Sequence, residues 1–340
     1  MKINLKYFQI KTIYGIHIAY RYENVFAIFA AMKAKRQTMT VCVCTALLLI
    51  LAAADMIAGK AAPSPQVLWL LRAPRAATAI LAGAALAIAG SQMQSVLRNP
   101  LADPHIMGVS AGASLGAATA TLSGAGLLSI TGSAFAGAFI SAMIILYVSK
   151  RFSSASTLLI FGVMLGFIMN ATVSILQSYS EAENLKLFYS WSAGSFTSTT
   201  WLQILIIALA MTIGASIAFS NRKGLDIILF GDEFAEMAGA FPERIRFSAL
   251  LSSCLLTGAV TAFCGPVGFV GIVAPHMARG LLKTSSHRLI LPFSMLIGAV
   301  TGITADLLSQ TAPVPLPVAS TMALIGIPII LYMLLKGNGK

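Results

Sequence analysis

Few residues in this chain have types and spacings that could carry out chemistry. The sequence contains no GxxxxGK[ST] phosphate loop, no HExxH zinc motif and no GxSxG nucleophile turn. The four histidines are scattered and the four cysteines, which lie in or beside apolar runs, lack the spacing of metal ligands. We therefore predict that this chain is not an enzyme and binds neither a metal nor a cofactor.

Composition places the chain in a membrane. Its 340 residues are 57% hydrophobic and only 10% charged, whereas soluble domains carry roughly 25% charged residues. Apolar runs long enough to cross a bilayer recur from Val41 onward, and the charges collect between them. The net charge of +12 then indicates orientation in the membrane rather than nucleic-acid binding, because basic residues concentrate in cytoplasmic loops.

The pattern predicts an all-α polytopic protein with about ten transmembrane helices. The predicted spans are 41–58, 76–97, 106–123, 126–149, 155–179, 200–219, 245–264, 268–282, 289–311 and 317–336. The eighth is short and contains a proline, which suggests a half-span packed among other helices. An even number of spans puts both termini on one side. We assign that side to the cytoplasm because only Lys60, Arg72, Arg75 and Lys186, of 23 basic residues, fall opposite.

The domain assignment separates the first residues from the rest. Residues 1–38 are basic, lack a span, and are expected to be poorly ordered or to precede the true start. Residues 39–338 are predicted to form a single transmembrane domain. Small residues recur every fourth position in its second and third spans, at Ala79, Gly83, Ala87 and Ser91 and at Gly108, Gly112, Gly116, Ala120 and Gly124. Such ridges predict closely packed helices.

Ionisable residues inside a span are functional candidates, and Asp306 is the clear one here. It falls near the outer end of its span, which favours a structural or capping role with access to interfacial water. Ion-driven carriers usually need several buried carboxylates, so their scarcity argues against a secondary transporter.

The polar segment 221–246 is too polar to span and too patterned for a loop. Gly231 and Gly239 are expected to delimit short helical turns, and Asp232 and Glu233 suit a helix N-terminus. One apolar face is predicted from Leu229, Phe230, Phe234, Met237 and Phe241. Such a face fits a groove on a partner, or alternatively rests on lipid.

Four stretches resemble the FecCD-type permease subunits of bacterial iron-siderophore, haem and cobalamin ABC importers. They are LRAPR (71–75), RNPLADPHIMGVSAG (98–112), GDEFAEMAG (231–239) and GPVGFVGIVAPHMAR (265–279). They occur in the family's order, and the resemblance covers about residues 40–338.

The resemblance implies a type II importer permease, similar to the vitamin B12 permease, in the bacterial inner membrane. Two copies would form the passage at their interface. Two ATP-binding cassette subunits, which hold ATP and Mg, would dock below, and a periplasmic or lipid-anchored substrate-binding protein would deliver substrate above.

The resemblance also implies roles for individual residues. Asn99, Leu101 and Ser156 match the gate that narrows the cytoplasmic exit. Arg72 and Arg75 match arginines that receive acidic residues of the binding protein, although Ser309-Gln310 stand where the family has a further arginine. The segment that couples to the ATPase is matched by Gly231, Asp232, Glu233, Ala238 and Gly239.

The passage wall and the substrate are less constrained by the sequence. The fifth span offers Asn170, Ser174, Gln177 and Ser178 as polar lining residues. We favour an iron complex, either a ferric siderophore or haem, as the substrate. The alternatives are a cobalamin permease, a secondary transporter built from inverted repeats and a membrane-embedded enzyme.

Overall fold

The computed structural model describes residues 35–58, 64–122, 127–151, 154–197, 199–314 and 316–337, and these residues are helical with short connections. The first helices are α1 (Lys35–Ile57), α2 (Pro65–Val96), α3 (Val109–Leu122), α4 (Leu127–Ser149), α5 (Ala155–Ser178), α6 (Ala182–Ser192) and α7 (Trp201–Ser220). They are followed by α8 (Arg222–Ile228), α9 (Asp232–Met237), α10 (Pro242–Cys264), α11 (Val270–Leu282), α12 (His287–Thr311) and α13 (Val318–Gly337). The expectation for residues 1–38 lies almost wholly outside the described residues.

Each predicted span coincides with a helix, but the helices differ in length. Seven are long and apolar enough to cross a membrane: α1, α2, α4, α5, α7, α10 and α12. Of the other three, α3 has 14 residues and α11 has 13, and residues 318–332 of α13 form a further apolar stretch. The chain is therefore an all-helical protein with several candidate spans, while ten crossings and cytoplasmic termini stay predictions. The sequence did not predict α6, an 11-residue helix between α5 and α7.

Helix α11 has 13 residues, so it rises about 20 Å and falls short of the ~30 Å hydrocarbon core. It packs against α2, α12 and α13. Its Gly271 lies so close to Leu86 and Gly90 of α2 that a Cβ atom at Gly90 would overlap the Gly271 backbone. The structure therefore shows a short, enclosed helix, while the half-span itself stays a prediction.

Helix α2 lies at the centre of the unit formed by residues 44–340, and nearly all its side chains from Pro74 to Val96 are buried. It packs against α12, α10, α11 and α7. At the crossing with α12, a Cβ atom on Gly83 would overlap the carbonyl oxygen of Gly298. The second small-residue ridge packs similarly, since a Cβ atom on Gly116 of α3 would overlap Ser133 of α4. The close packing predicted from the small residues is therefore confirmed.

A buried ion pair joins α2 to α12 at the end of the bundle where α2 begins, hereafter the Arg75 end. The Nε atom of Arg75 lies 2.9 and 2.8 Å from the two carboxylate oxygens of Asp306. The amide of Gln310 donates to Asp306 at 3.0 Å and to Asp55 of α1 at 2.8 Å. The expectation that Asp306 reaches interfacial water was wrong. Its exposure is 0%, because its partners close over it.

We predict that Gly83→Ala destabilises the protein by about 1–3 kcal/mol, the usual cost of overpacking, since the added methyl group would strike the α12 backbone. The measurement is thermal unfolding of the purified protein in detergent. Gly132→Ala is the control, because a Cβ atom at Gly132 of α4 has nothing within 4 Å. Equal stability of the two variants would contradict the close crossing.

We predict that Asp306→Ala costs about 3–5 kcal/mol, because it leaves the largely buried Arg75 cation unpaired. Adding Arg75→Met to the same chain should recover part of the loss, since the double variant no longer buries an uncompensated charge. Thermal unfolding of both variants in one detergent tests this prediction. A double variant less stable than Asp306→Ala would show that the pair does not act as a unit.

Candidate functional site

The segment 221–246 forms two short helices, α8 and α9, which cap the end of the bundle opposite the Arg75 end. Gly231 (φ 111°) separates them and Gly239 (φ 76°) follows α9, as the sequence predicts. Leu225 and Ile228 of α8 are fully buried in a small apolar cluster with Val96 at the end of α2. The segment is therefore anchored to the core rather than loosely tethered.

Asp232 faces inward from the first turn of α9. Its Oδ2 atom accepts a hydrogen bond of 2.9 Å from Arg246 of α10, whose side chain is 5% exposed. The guanidinium of Arg98, in the loop after α2, lies 4.0 Å from the same oxygen. The buried Oδ1 atom of Asp232 has no hydrogen-bond partner among the described residues. This predicted coupling residue thus holds α9 against α10 and the Arg98 loop.

The outer surface of this segment, by contrast, is apolar and exposed. The four large side chains on it are 45–81% exposed and are Phe230, Phe234, Met237 and Phe241. The Phe230 and Phe234 rings lie 5.2 Å apart, and the Arg244 guanidinium lies 4.7 Å from the Phe241 ring. Leu229, predicted to share this face, is only partly exposed. We call Phe230, Phe234, Met237 and Phe241 the apolar cap.

The remaining predicted coupling residues border the apolar cap. Glu233, Ala238 and Gly239 are exposed, and Gly231 is partly buried. Beside them, a surface cleft of about 530 Å³ is lined by Glu236 and by the 239–244 turn between α9 and α10. Contiguous exposed apolar side chains with a charged border are typical of an interaction surface.

Asp226 of α8 caps the start of α12. Its Oδ1 atom accepts hydrogen bonds from the backbone N–H of His287 at 2.7 Å and from His287 Nδ1 at 2.6 Å, and its Oδ2 atom accepts from Ser286 at 3.3 Å. Burial alone raises the pKa of Asp226, but the hydrogen bonds from His287 outweigh it and lower this pKa below its ordinary value. Sequence reasoning missed this contact. The only indication of it in the sequence was the position of Asp226 among the apolar residues of α8.

The predicted gate residues lie in the loop after α2 and at the start of α5. Asn99 and Leu101 are exposed, and the Asn99 Oδ1 atom accepts a 2.9 Å hydrogen bond from the Leu101 backbone. Ser156 is exposed in the first turn of α5. A short Asx turn therefore gives the loop a fixed shape, while closure between these three residues stays a prediction.

The predicted passage residues form a polar stripe on an otherwise apolar helix. Asn170, Ser174 and Ser178 lie on one face of α5 and are exposed, and Gln177 is partly buried. The two serine hydroxyls donate to backbone carbonyls four residues earlier, at 3.1 and 3.0 Å. The same helix exposes Ile160, Met164, Phe167, Ile168 and Ile175.

Asn170 opens onto a cleft of about 540 Å³ between α3 and α5. His105 and Ser110 line it and contact each other, and His105 Nε2 donates to the carbonyl of Val267 over 2.7 Å. Because His105 and Ser110 already hydrogen-bond within the chain, Asn170 is a polar side chain of this wall that stays available to a solute.

The two arginines predicted to dock a binding protein have partners inside the chain. Arg72 is 6% exposed and donates to the carbonyls of Met56 and Ile57 at the end of α1, each at 2.8 Å. Arg75 holds Asp306, as described above. Both lie at the Arg75 end, away from the apolar cap, and their docking role stays a prediction. Within the described ranges, no cluster of three or more His, Cys, Asp or Glu could hold a metal ion.

Comparison with known proteins identifies a family. The model of the FecCD transport family matches residues 38–336. The uncharacterised ABC transporter permease protein YvrB of Bacillus subtilis is 34% identical over 80% of this chain and 79% of its own. The hemin transport system permease protein HmuU of Yersinia pestis is 32% identical over 79% of this chain and 83% of its own.

Cobalamin permeases are equally similar. The vitamin B12 import system permease protein BtuC of Klebsiella pneumoniae is 31% identical over 80% of this chain and 83% of its own. A solved transporter described as of metal-chelate type, in an inward-facing conformation, superposes with a TM-score of 0.81 at 29% identity, over 88% of this chain and 99% of that one. The relatives therefore do not favour iron over cobalamin, and they give the secondary-transporter and enzyme alternatives no support.

These matches cover nearly the whole helical part of the chain, and the relatives are transport permeases rather than enzymes. The chain belongs to the FecCD transport family and is a multi-pass membrane permease of the ABC-importer type.

Proposed function

We propose that this chain is the membrane-spanning subunit of an ATP-driven importer of metal chelates in the bacterial inner membrane, where it is embedded in lipid. Two copies form the passage between them, and each copy crosses the membrane ten times with both termini in the cytoplasm. Two ATP-binding cassette subunits supply ATP and Mg, and a periplasmic or lipid-anchored protein delivers the substrate. The apolar cap is the observation that carries this proposal.

The apolar cap suits a groove on an ATP-binding subunit. Its large side chains are exposed, whereas Leu225 and Ile228 beneath it are fixed in the core. Because the buried residues hold the segment in place and the apolar cap is exposed, a partner can bind the segment and move it without unfolding it. ATP binding would draw the two cassette subunits together, and the segment 221–246 would follow them. The Arg98 contact with Asp232 joins this segment to the loop that holds Asn99 and Leu101.

The passage is proposed to run along the polar stripe of α5. In a single copy of the chain, α5 exposes Asn170 and Ser174 among large apolar side chains. A second copy facing this helix would cover the apolar residues and leave the amide and hydroxyl groups along a narrow path. Such a wall makes weak, uniform contacts with a bulky solute, which favours passage over retention.

The substrate class rests on the names of the relatives. A ferric siderophore, haem and cobalamin are all metal chelates, and permeases for hemin and for vitamin B12 are comparably similar to this chain. We keep an iron complex as the proposed substrate, with cobalamin as the alternative of equal standing. Binding measurements on the partner binding protein with haem, ferric siderophores and cobalamin distinguish them. Binding of cobalamin alone would overturn the iron assignment.

We predict that Gly239→Trp uncouples ATP hydrolysis from uptake while the protein still accumulates in the membrane. A Cβ atom at Gly239 has nothing within 4 Å, so the large ring projects outward, where the cassette subunit would dock. The measurement is uptake and ATP hydrolysis in vesicles containing the whole complex.

Gly239→Ala is the matched control for this variant. Both variants place a side chain on a residue with φ of 76° and so share the backbone strain, but only tryptophan adds bulk to the docking surface. Uptake per ATP should fall in Gly239→Trp and stay near the wild-type value in Gly239→Ala. Equal uptake per ATP in the two variants would contradict the docking assignment.

A further inference from the structure

A buried chain of hydrogen bonds links α8 to the end of α2. Asp226 of α8 binds His287 Nδ1 at 2.6 Å, and His287 Nε2 lies 2.7 Å from the Ser95 hydroxyl of α2. Because a carboxylate only accepts hydrogen bonds, Nδ1 donates to Asp226, and Nε2 is left facing Ser95. Three helices, α8, α12 and α2, thus meet at one imidazole ring.

This Ser-His-Asp arrangement is not a catalytic site. Ser95 and His287 are both 0% exposed, so no substrate reaches the hydroxyl. The Ser95 Oγ atom is also 2.9 Å from the carbonyl of Ser91, one turn earlier in α2. Ser95 and His287 are fully buried and Asp226 is partly exposed. A largely buried polar chain with every member bonded is costly to break, and it fixes the relative position of the helices that it joins.

We propose that the Asp226–His287–Ser95 chain transmits the movement of α8 to α2, and that His287 is the positioning residue for this step. The inference rests on the proposed function, because it concerns how movement at the ATPase-facing segment reaches the gate. Ser95 lies in the last turn of α2, which ends at Val96. Arg98 and Asn99 follow Ser95 by only three and four residues. A displacement of Ser95 therefore displaces the Asn99–Leu101 loop directly.

Apolar packing alone would not suffice for this transmission. Leu225, Ile228 and Val96 share an apolar cluster at the same interface, and such contacts oppose separation but are non-directional, so they do not prevent the helices from sliding past each other. Directional hydrogen bonds hold the register in both directions. The Asp226–His287–Ser95 chain therefore lets α2 follow α8 outward as well as inward, as a cycle of opening and closing requires.

The test is the amount of substrate transported per ATP hydrolysed by the whole complex in vesicles. Ser95→Ala removes only the hydroxyl group and should lower this ratio about tenfold, the effect expected when one buried hydrogen bond of the stronger kind is lost. ATP hydrolysis and the association of the cassette subunits should persist. A change confined to stability would lower the amount of complex but not the ratio.

Ser91→Ala is the matched control. Ser91 lies one turn away on the same helix, is 0% exposed, and its hydroxyl has no hydrogen-bond partner among the described residues. The amount of substrate transported per ATP hydrolysed by Ser91→Ala should equal that of the wild type. If Ser95→Ala keeps the wild-type ratio, or if Ser91→Ala loses the ratio equally, the proposal is overturned.

Asp226→Ala extends the test from the partly exposed end of the chain, because it removes the oxygen that accepts from His287, and it replaces Ser95→Ala should that variant fail to accumulate. The relay predicts that Asp226→Ala also lowers the ratio, and that the double variant is no worse than either single one. An unchanged ratio in Asp226→Ala would overturn the relay alone. Absence of any ATP-dependent uptake by the wild-type complex would overturn the proposed function together with it.

Discussion

The backbone-to-backbone crossing of α2 and α12 is the constraint on which the rest of this structure depends. Gly83, Gly298 and Gly302 lie at the crossing, where any side chain would overlap the facing backbone. Lipid supplies no hydrophobic drive between helices, so close packing and polar contacts must hold them together. The crossing joins α2 and α12 closely, and α10 and the short helix α11 pack against them.

Polar contacts secure this pair of helices at both ends. At one end Arg75 holds Asp306, and Gln310 extends the contact to Asp55 of α1. At the other end His287 joins the two helices to Asp226 and so to the segment that bears the apolar cap. Closely packed helices transmit a displacement at one end to their surroundings. The proposed relay from the apolar cap to the adjacent Asn99–Leu101 loop depends on this property.

Sequence reasoning located the elements better than it located their partners. Apolar run length and glycine spacing report burial and close approach, and they correctly predicted the helices, the short length of α11 and the two turns bounded by Gly231 and Gly239. They do not report which residue faces which. Arg75 and Asp306 are 231 positions apart, and no pattern local to either residue indicates the pair. Helix α6 was missed because it is short and too polar to register as a span.

Uptake into vesicles by the purified complex tests the central claim most directly. The vesicles contain this chain and its ATP-binding subunit, and the binding protein outside is loaded with a labelled metal chelate. The account predicts accumulation that requires ATP on the cytoplasmic side and stops when a non-hydrolysable analogue replaces it. Accumulation by this chain alone, driven by a proton or sodium gradient without the ATP-binding subunit, would contradict it.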